Sequence, residues 1–254
     1  MTINNQWISL AQWLAVISMT ADHAARYLIP GLTDFYWLAA TLGRLAFPFF
    51  AALVAWHALF NSRHLGRYTL RILIIGILAQ PGYAWMLQEP LNQALLNVCF
   101  TLAAGLILTW GWLAAWKMHQ LDGRFLYSWS FLGGLLLALL AAWLLDAWVD
   151  YGLVGILLVP ALAISFHAYQ QRQQPWGQQL GAWALWLLPG FLVLGLNPAG
   201  LPTFSSYFAL LLLLLLILIN RYWRCWQLPF PRWLWLSWYP LHLLVIAGAA
   251  RWLA

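Results

Sequence analysis

The segment LAVISMTADHAARYLIPG sets Asp22, His23 and Arg26 into an otherwise apolar run. Asp22 and Arg26 are four residues apart and His23 and Arg26 three, which puts them on adjoining parts of one helical face. Imidazole is the side chain that takes up and returns a proton near neutral pH, with an ordinary pKa of about 6.5. A guanidinium can donate to a developing oxyanion, and a carboxylate can orient either. A charge at mid-span costs about 2.5 to 3.5 kcal/mol on insertion scales, so such residues are seldom idle. Four more polar residues interrupt apolar runs: Arg44 in LGRLAFPFF, Asn97 in LNVCFTL, Tyr151 in DYGLVG and His242 in WYPLHLL. Asp22 with Arg26 also reads as a structural ion pair, and His242 as a helix-to-helix hydrogen bond. His57, His64, His119 and His167 read as interfacial. Arg63, Arg67 and Arg71 cluster in NSRHLGRYTLR, where membrane topology alone would require them. The sharper reading is phosphate recognition by their planar forks of donors.

The elements that must position these residues follow from composition. The 254 residues are 64% hydrophobic and 7% charged, the signature of an integral membrane protein. The expected fold is all-α, a polytopic helical bundle forming one membrane domain over residues 1–254. Apolar runs of roughly 17 to 25 residues give about nine spans, eight to ten at the extremes. They are Trp7–Leu28, Phe35–Phe60, Tyr68–Leu87, Ala94–Lys117, Phe125–Leu145, Tyr151–Tyr169, Leu180–Leu196, Thr203–Asn220 and Trp233–Leu253. The runs are continuous rather than alternating, which favours helices over a barrel. MTINNQW lacks a basic n-region, so the first segment reads as a retained span rather than a signal peptide.

Loops after the second, fourth, sixth and eighth spans hold Arg63, Arg67, Arg71, Lys117, Arg124, Arg172, Arg221, Arg224 and Arg232. The others hold Asp34, Glu89, Asp146 and Asp150. The positive-inside rule then puts the N-terminus in the cytoplasm and the C-terminus outside. Topology accounts for the formal charge of +6, so no nucleic-acid partner is expected. Cys99 and Cys225 fall at opposite faces, which argues against a disulfide. No P-loop, dinucleotide fingerprint, metal-binding His pair or Gly-x-Ser-x-Gly elbow is present, and no metal is expected.

Orientation converts position into depth at about 1.5 Å per residue. Asp22 and His23 lie roughly 22 to 24 Å along the first span, in the outer third of a core about 30 Å thick. Arg44 lies about 13 Å down the second span and reaches toward the pair. Asn97, Tyr151 and His242 fall at similar depth, so the expectation is a polar cavity in the outer half of the bundle.

In this order the motifs MTADHAARYL, LGRLAFPFFAALVAWHALFNSRHLGRYTLRILIIGILAQPGY, LNVCFTLAAGLIL, DYGLVGILL and WYPLHLLVI resemble the TraX family of F-pilin acetylation proteins. The family's Asp-His pair falls on Asp22 and His23, its Gly-Arg-x-Ala-Phe-Pro arginine on Arg44, its fourth-span Asn on Asn97, its Tyr-Gly on Tyr151 and Gly152, and its Pro-Leu-His on Pro240 and His242. Cys99-Phe100 departs from a more aliphatic pair. The resemblance implies an acetyl-CoA-dependent N-acetyltransferase of the inner membrane, with periplasm outside. Its acceptor would be the N-terminal amine of a conjugative pilin subunit.

On that reading His23 or His242 is the general base, Asp22 orients a neighbour, and Arg44 or Asn97 meets the oxyanion. Arg26, Asn97 and Tyr151 hold the acceptor. Arg63, Arg67, Arg71, Arg221 and Arg224 hold the nucleotide of acetyl-CoA. Direct transfer and a transient acetyl-histidine are both open. The competing classes are a transporter or proton-coupled channel relaying through Asp22, His23, Arg26 and His242, and a non-catalytic pilus assembly factor.

Overall fold

The computed structural model describes residues 6–28, 37, 41–124, 128–170, 180–181, 183–197, 200–219 and 229–253. Among them are nine α-helices: α1 (Gln6–Tyr27), α2 (Ala46–Phe60), α3 (Leu65–Leu87), α4 (Val98–Leu121), α5 (Trp129–Leu145), α6 (Gly152–Gln170), α7 (Leu187–Val193), α8 (Leu201–Ile219) and α9 (Arg232–Leu253). A 3-10 turn, Leu42–Leu45, runs directly into α2. Six helices are long and apolar enough to cross a membrane: Leu42–Phe60, α3, α4, α6, α8 and α9. The chain is therefore a multi-pass helical membrane protein. Ile77, Leu78, Leu136, Leu137 and Leu211 are exposed, as suits helices solvated by hydrocarbon.

The other three expected spans differ from these six. α1 has 22 residues, about 33 Å, but its polar residues lower its hydropathy. α5 has 17 residues. The run expected over Leu180–Leu196 contains only the seven-residue α7 as its longest described helix. Pro189, inside α7, has no N–H for the Leu185 carbonyl, which accepts from the Leu188 N–H at 3.2 Å and the Ser165 hydroxyl at 3.0 Å.

The chain divides into two compact units. The first comprises residues 1–53, 75–94 and 193–254, with α1, the 3-10 turn, α8 and α9. Here α1 packs on the 3-10 turn and on α9. An aromatic cluster joins them: the rings of Trp13 and Phe230 lie 4.5 Å apart and those of Phe50 and Trp235 5.5 Å apart. Pro48 cannot donate to the Arg44 carbonyl, and the chain enters the helix through a tighter turn in which Ala46 N–H bonds the Gly43 carbonyl.

The second unit comprises residues 54–74 and 95–192. Its centre is α4 packed on α6. Pro160 frees the Ile156 carbonyl, and Gly105 of α4 sits against it, where a Cβ would come within 2.6 Å. At one end Leu96 and Val149 form a parallel β-bridge, with Leu96 N–H donating to Trp148 O at 2.8 Å and Asp150 N–H to Leu96 O at 2.9 Å. Thr101 Oγ1 donates to the Asp150 carbonyl. Tyr151 and Gly152 then turn with φ of 63° and 51°. Gly152 is required there, since a Cβ would overlap the Asp146 carboxylate, which caps α6 by accepting from Leu153 N–H at 2.6 Å.

Candidate functional site

Two histidines from opposite ends of the sequence meet inside the first unit. His23 Nδ1 and His242 Nε2 are 2.9 Å apart, with the rings parallel to within 3°. His242 is 4% exposed. Its Nδ1 lies 2.8 Å from the Trp238 carbonyl oxygen. A carbonyl only accepts, so that nitrogen carries a proton and donates. In the neutral ring Nε2 must then accept, so His23 Nδ1 is the donor between the rings. The remaining nitrogen, His23 Nε2, keeps its lone pair and takes no hydrogen bond from any described residue. The chain Trp238 O, His242, His23 thus ends in one basic nitrogen.

The register of α1 against α9 fixes this pair. Trp238 Nε1 donates to Thr20 Oγ1 at 2.9 Å, and that hydroxyl donates to the Val16 carbonyl at 2.8 Å. One residue of α9 therefore orients His242 through its backbone and grips α1 through its indole. Pro240, two residues from His242, removes the N–H that would bond the Leu236 carbonyl; it is an interruption inside α9.

Beside the histidines, Arg26 Nε donates to Asp22 Oδ1 at 2.9 Å, with the two side chains 27% and 12% exposed. The carboxylate expected to orient Arg44 is thus engaged by Arg26, the ion-pair alternative left open by the spacing. Arg44 is still brought to the same place, because its turn lies against α1 and Gly43 packs on Asp22 so closely that a Cβ would overlap the carboxyl group. Arg44 Nε is buried and makes no hydrogen bond to any described residue. A buried guanidinium donor on the turn that packs on Asp22, with a basic imidazole at the next residue of α1, supplies the two groups that acyl-transfer chemistry uses: one removes a proton and the other meets the oxyanion.

Asn97 and Tyr151 belong to the second unit and are built into its terminal turn. Asn97 is fully buried and caps α4, its Oδ1 accepting from Cys99 N–H at 3.1 Å. Tyr151 N–H donates to Asp150 Oδ1 at 3.0 Å. The cap accounts for an Asn at 97, whereas the Tyr151 contact is made by its backbone.

The basic cluster splits. Arg63 and Arg67 line a cavity of about 550 Å³ together with Ser62, His64, Gly66 and Trp110. Arg71, one turn further along α3, does not line it. Neither Arg63 nor Arg67 has a carboxylate partner among the described residues. Arg221 and Arg224 lie outside the described residues, as do Asp34, Arg172 and Cys225. The sequence reading missed His64 and Trp110. Gly66 inside a basic run hinted at a close approach, but nothing local ties α3 to Trp110, whose indole carbons stand 3.4 and 3.6 Å from where a Gly66 Cβ would be.

A multi-pass helical membrane protein with a hydrogen-bonded histidine pair and an adjacent buried guanidinium is the class these features define. Residues 8–249 match the family described as TraX protein, and the chain belongs to the TraX family. Over 102 residues it is 32% identical to a probable fimbrial assembly protein FimC, serogroup H1, of Dichelobacter nodosus. The match spans 37% of this chain and 41% of that relative. No solved structure matches the chain.

Proposed function

We propose that this protein is a membrane-embedded acetyltransferase that moves an acetyl group from acetyl-CoA to the N-terminal amine of a pilin subunit. The reading extends to a place in the inner membrane, N-terminus cytoplasmic and C-terminus periplasmic, with conjugative pili as the setting. Membership of the TraX family and the likeness to a protein named for fimbrial assembly support the link to pili. The observation that carries the chemistry is the His23–His242 pair, whose hydrogen bonds leave His23 Nε2 as a free base.

A terminal amine has an ordinary pKa of about 7.7 to 8.0 and must lose a proton to attack. The thioester donor supplies an acyl carbonyl and a thiolate leaving group. His23 Nε2 takes the proton from the acceptor nitrogen as the N–C bond forms and the C–S bond breaks. It then returns that proton to the departing sulfur, so that the products are the amide and a free thiol. His242 holds the ring of His23 in the tautomer that can do this. Arg44 donates to the acyl oxygen as it gains charge, and the Asp22–Arg26 pair holds the floor beneath it. The guanidiniums of Arg63 and Arg67, in a cavity large enough for a small molecule, fit the donor's phosphates.

A second reading, a non-catalytic pilus assembly factor, is favoured by the likeness to a Dichelobacter protein named for fimbrial assembly. Purified full-length protein incubated with labelled acetyl-CoA and a pilin peptide separates the two. Label on the peptide's terminal amine, lost in His23→Ala with the protein still membrane-inserted, is the expected result. Peptide binding without transfer would establish the assembly reading in its place.

A further inference from the structure

The cavity between the α2–α3 turn and α4 holds more than phosphate chemistry requires. Its volume of about 550 Å³ falls within the range of roughly 300 to 1,000 Å³ typical of sites for whole small molecules. Two guanidiniums without carboxylate partners among the described residues, Arg63 and Arg67, stand four residues apart at the start of α3, where first-turn N–H groups have no intrahelical acceptor and the helix dipole favours anions. Ser62 and His64 line the cavity beside them. Across from them is the indole of Trp110, 48% exposed, whose outer ring carbons stand 3.4 and 3.6 Å from where a Gly66 Cβ would be. Beyond Trp110, α4 continues to Leu121, roughly 16 Å further, giving the cavity a wall that outruns the turn.

We infer that this cavity is a nucleotide subsite: Trp110 stacks an adenine base while Arg63 and Arg67 grip the phosphate groups of an adenosine bisphosphate moiety. Aromatic stacking beside guanidiniums is how a base and its phosphates are taken up together, whereas a bare phosphate or a lipid headgroup has no use for the indole. The inference rests on the acetyl-CoA reading and sharpens it: the donor is recognised by its nucleotide end, so a thioester carried on phosphopantetheine alone is a poor substrate.

The test uses the full-length protein in detergent, with binding of adenosine 3′,5′-bisphosphate followed by calorimetry. Inorganic phosphate and phosphatidylglycerol vesicles serve as parallel probes. The nucleotide should bind far more tightly than phosphate and be displaced by acetyl-CoA but not by phosphopantetheine. Trp110→Leu should weaken the nucleotide by about 5- to 150-fold, the range base stacking carries, and leave phosphate unchanged. Trp110→Phe should retain most of the affinity, and Arg63→Gln should weaken nucleotide and phosphate alike. Equal affinity for nucleotide and phosphate, an unaltered Trp110→Leu variant, or binding confined to the vesicles would overturn the inference. Acetyl transfer is measured in parallel. Transfer without nucleotide binding sinks the subsite and spares the enzyme, and binding without transfer does the reverse.

Discussion

The hydrogen-bond order within the histidine pair makes a quantitative prediction, because it gives the two rings unequal roles. In His242→Phe the acceptor for His23 Nδ1 disappears. Leaving a buried donor unsatisfied costs roughly 1 to 3 kcal/mol. At about 1.36 kcal/mol per tenfold change in rate, turnover should fall about 5- to 150-fold if that cost falls on the reactive arrangement. His23→Ala removes the base itself, worth about 10² to 10⁴ in general-base catalysis. Since His242 acts only through His23, the double variant should be no slower than His23→Ala alone. His242→Gln, whose amide oxygen can accept from His23 Nδ1, should recover much of the loss. The assay is initial-rate acetylation of a pilin peptide followed by mass spectrometry, with variants first checked for equal membrane insertion. A double variant slowed by the product of both single effects would refute the order. So would a His242→Phe variant slower than His23→Ala, which would make His242 the base.

Two further predictions separate architecture from chemistry. Asn97→Ala removes the α4 cap and should lower stability by about 1 kcal/mol, read as a lower unfolding temperature in detergent. Turnover below that temperature should be unchanged, and a hundredfold loss at unaltered stability would instead make Asn97 an oxyanion donor. Gly43→Ala drives a methyl group into the Asp22 carboxyl and should destabilise by about 1 to 3 kcal/mol. Adding Asp22→Ala should relieve part of that cost, and an unfolding temperature equal to wild type for Gly43→Ala alone would deny the close approach of the 3-10 turn to α1.

The sequence made the polar residues conspicuous because a charge or imidazole inside an apolar run stands out by composition alone. That is why Asp22, His23, Arg44 and His242 stand out, and depth arithmetic sets them, with Asn97 and Tyr151, at one level. Hydrogen-bond order was not legible: which histidine nitrogen faces which depends on the rotation of α9, set by Trp238 gripping Thr20, a pairing across 218 residues. Asn97 was legible in a different way, since an Asn immediately before an apolar run is an N-cap signal, and a search for buried polar groups read it as chemistry. Hydropathy counting gives a span over Leu180–Leu196 because Pro189 carries little weight in an average, whereas the longest described helix there is the seven-residue α7. Trp110 was invisible as a site residue, being one of twenty tryptophans in a protein whose interfaces use many.

The turn that closes the second unit also bears on how the chain is made. The Thr101 hydroxyl and its acceptor on Asp150 are separated by 49 residues. At a synthesis rate of about 5 to 20 residues per second, the acceptor emerges roughly 2.5 to 10 s after the donor. During that interval α4 enters the bilayer with its capped end unclasped, and the Leu96 backbone groups that later meet Trp148 and Asp150 must find other partners. A chain truncated between α5 and α6 should therefore leave that end of α4 unclasped, read as faster proteolysis there than in the chain that includes α6.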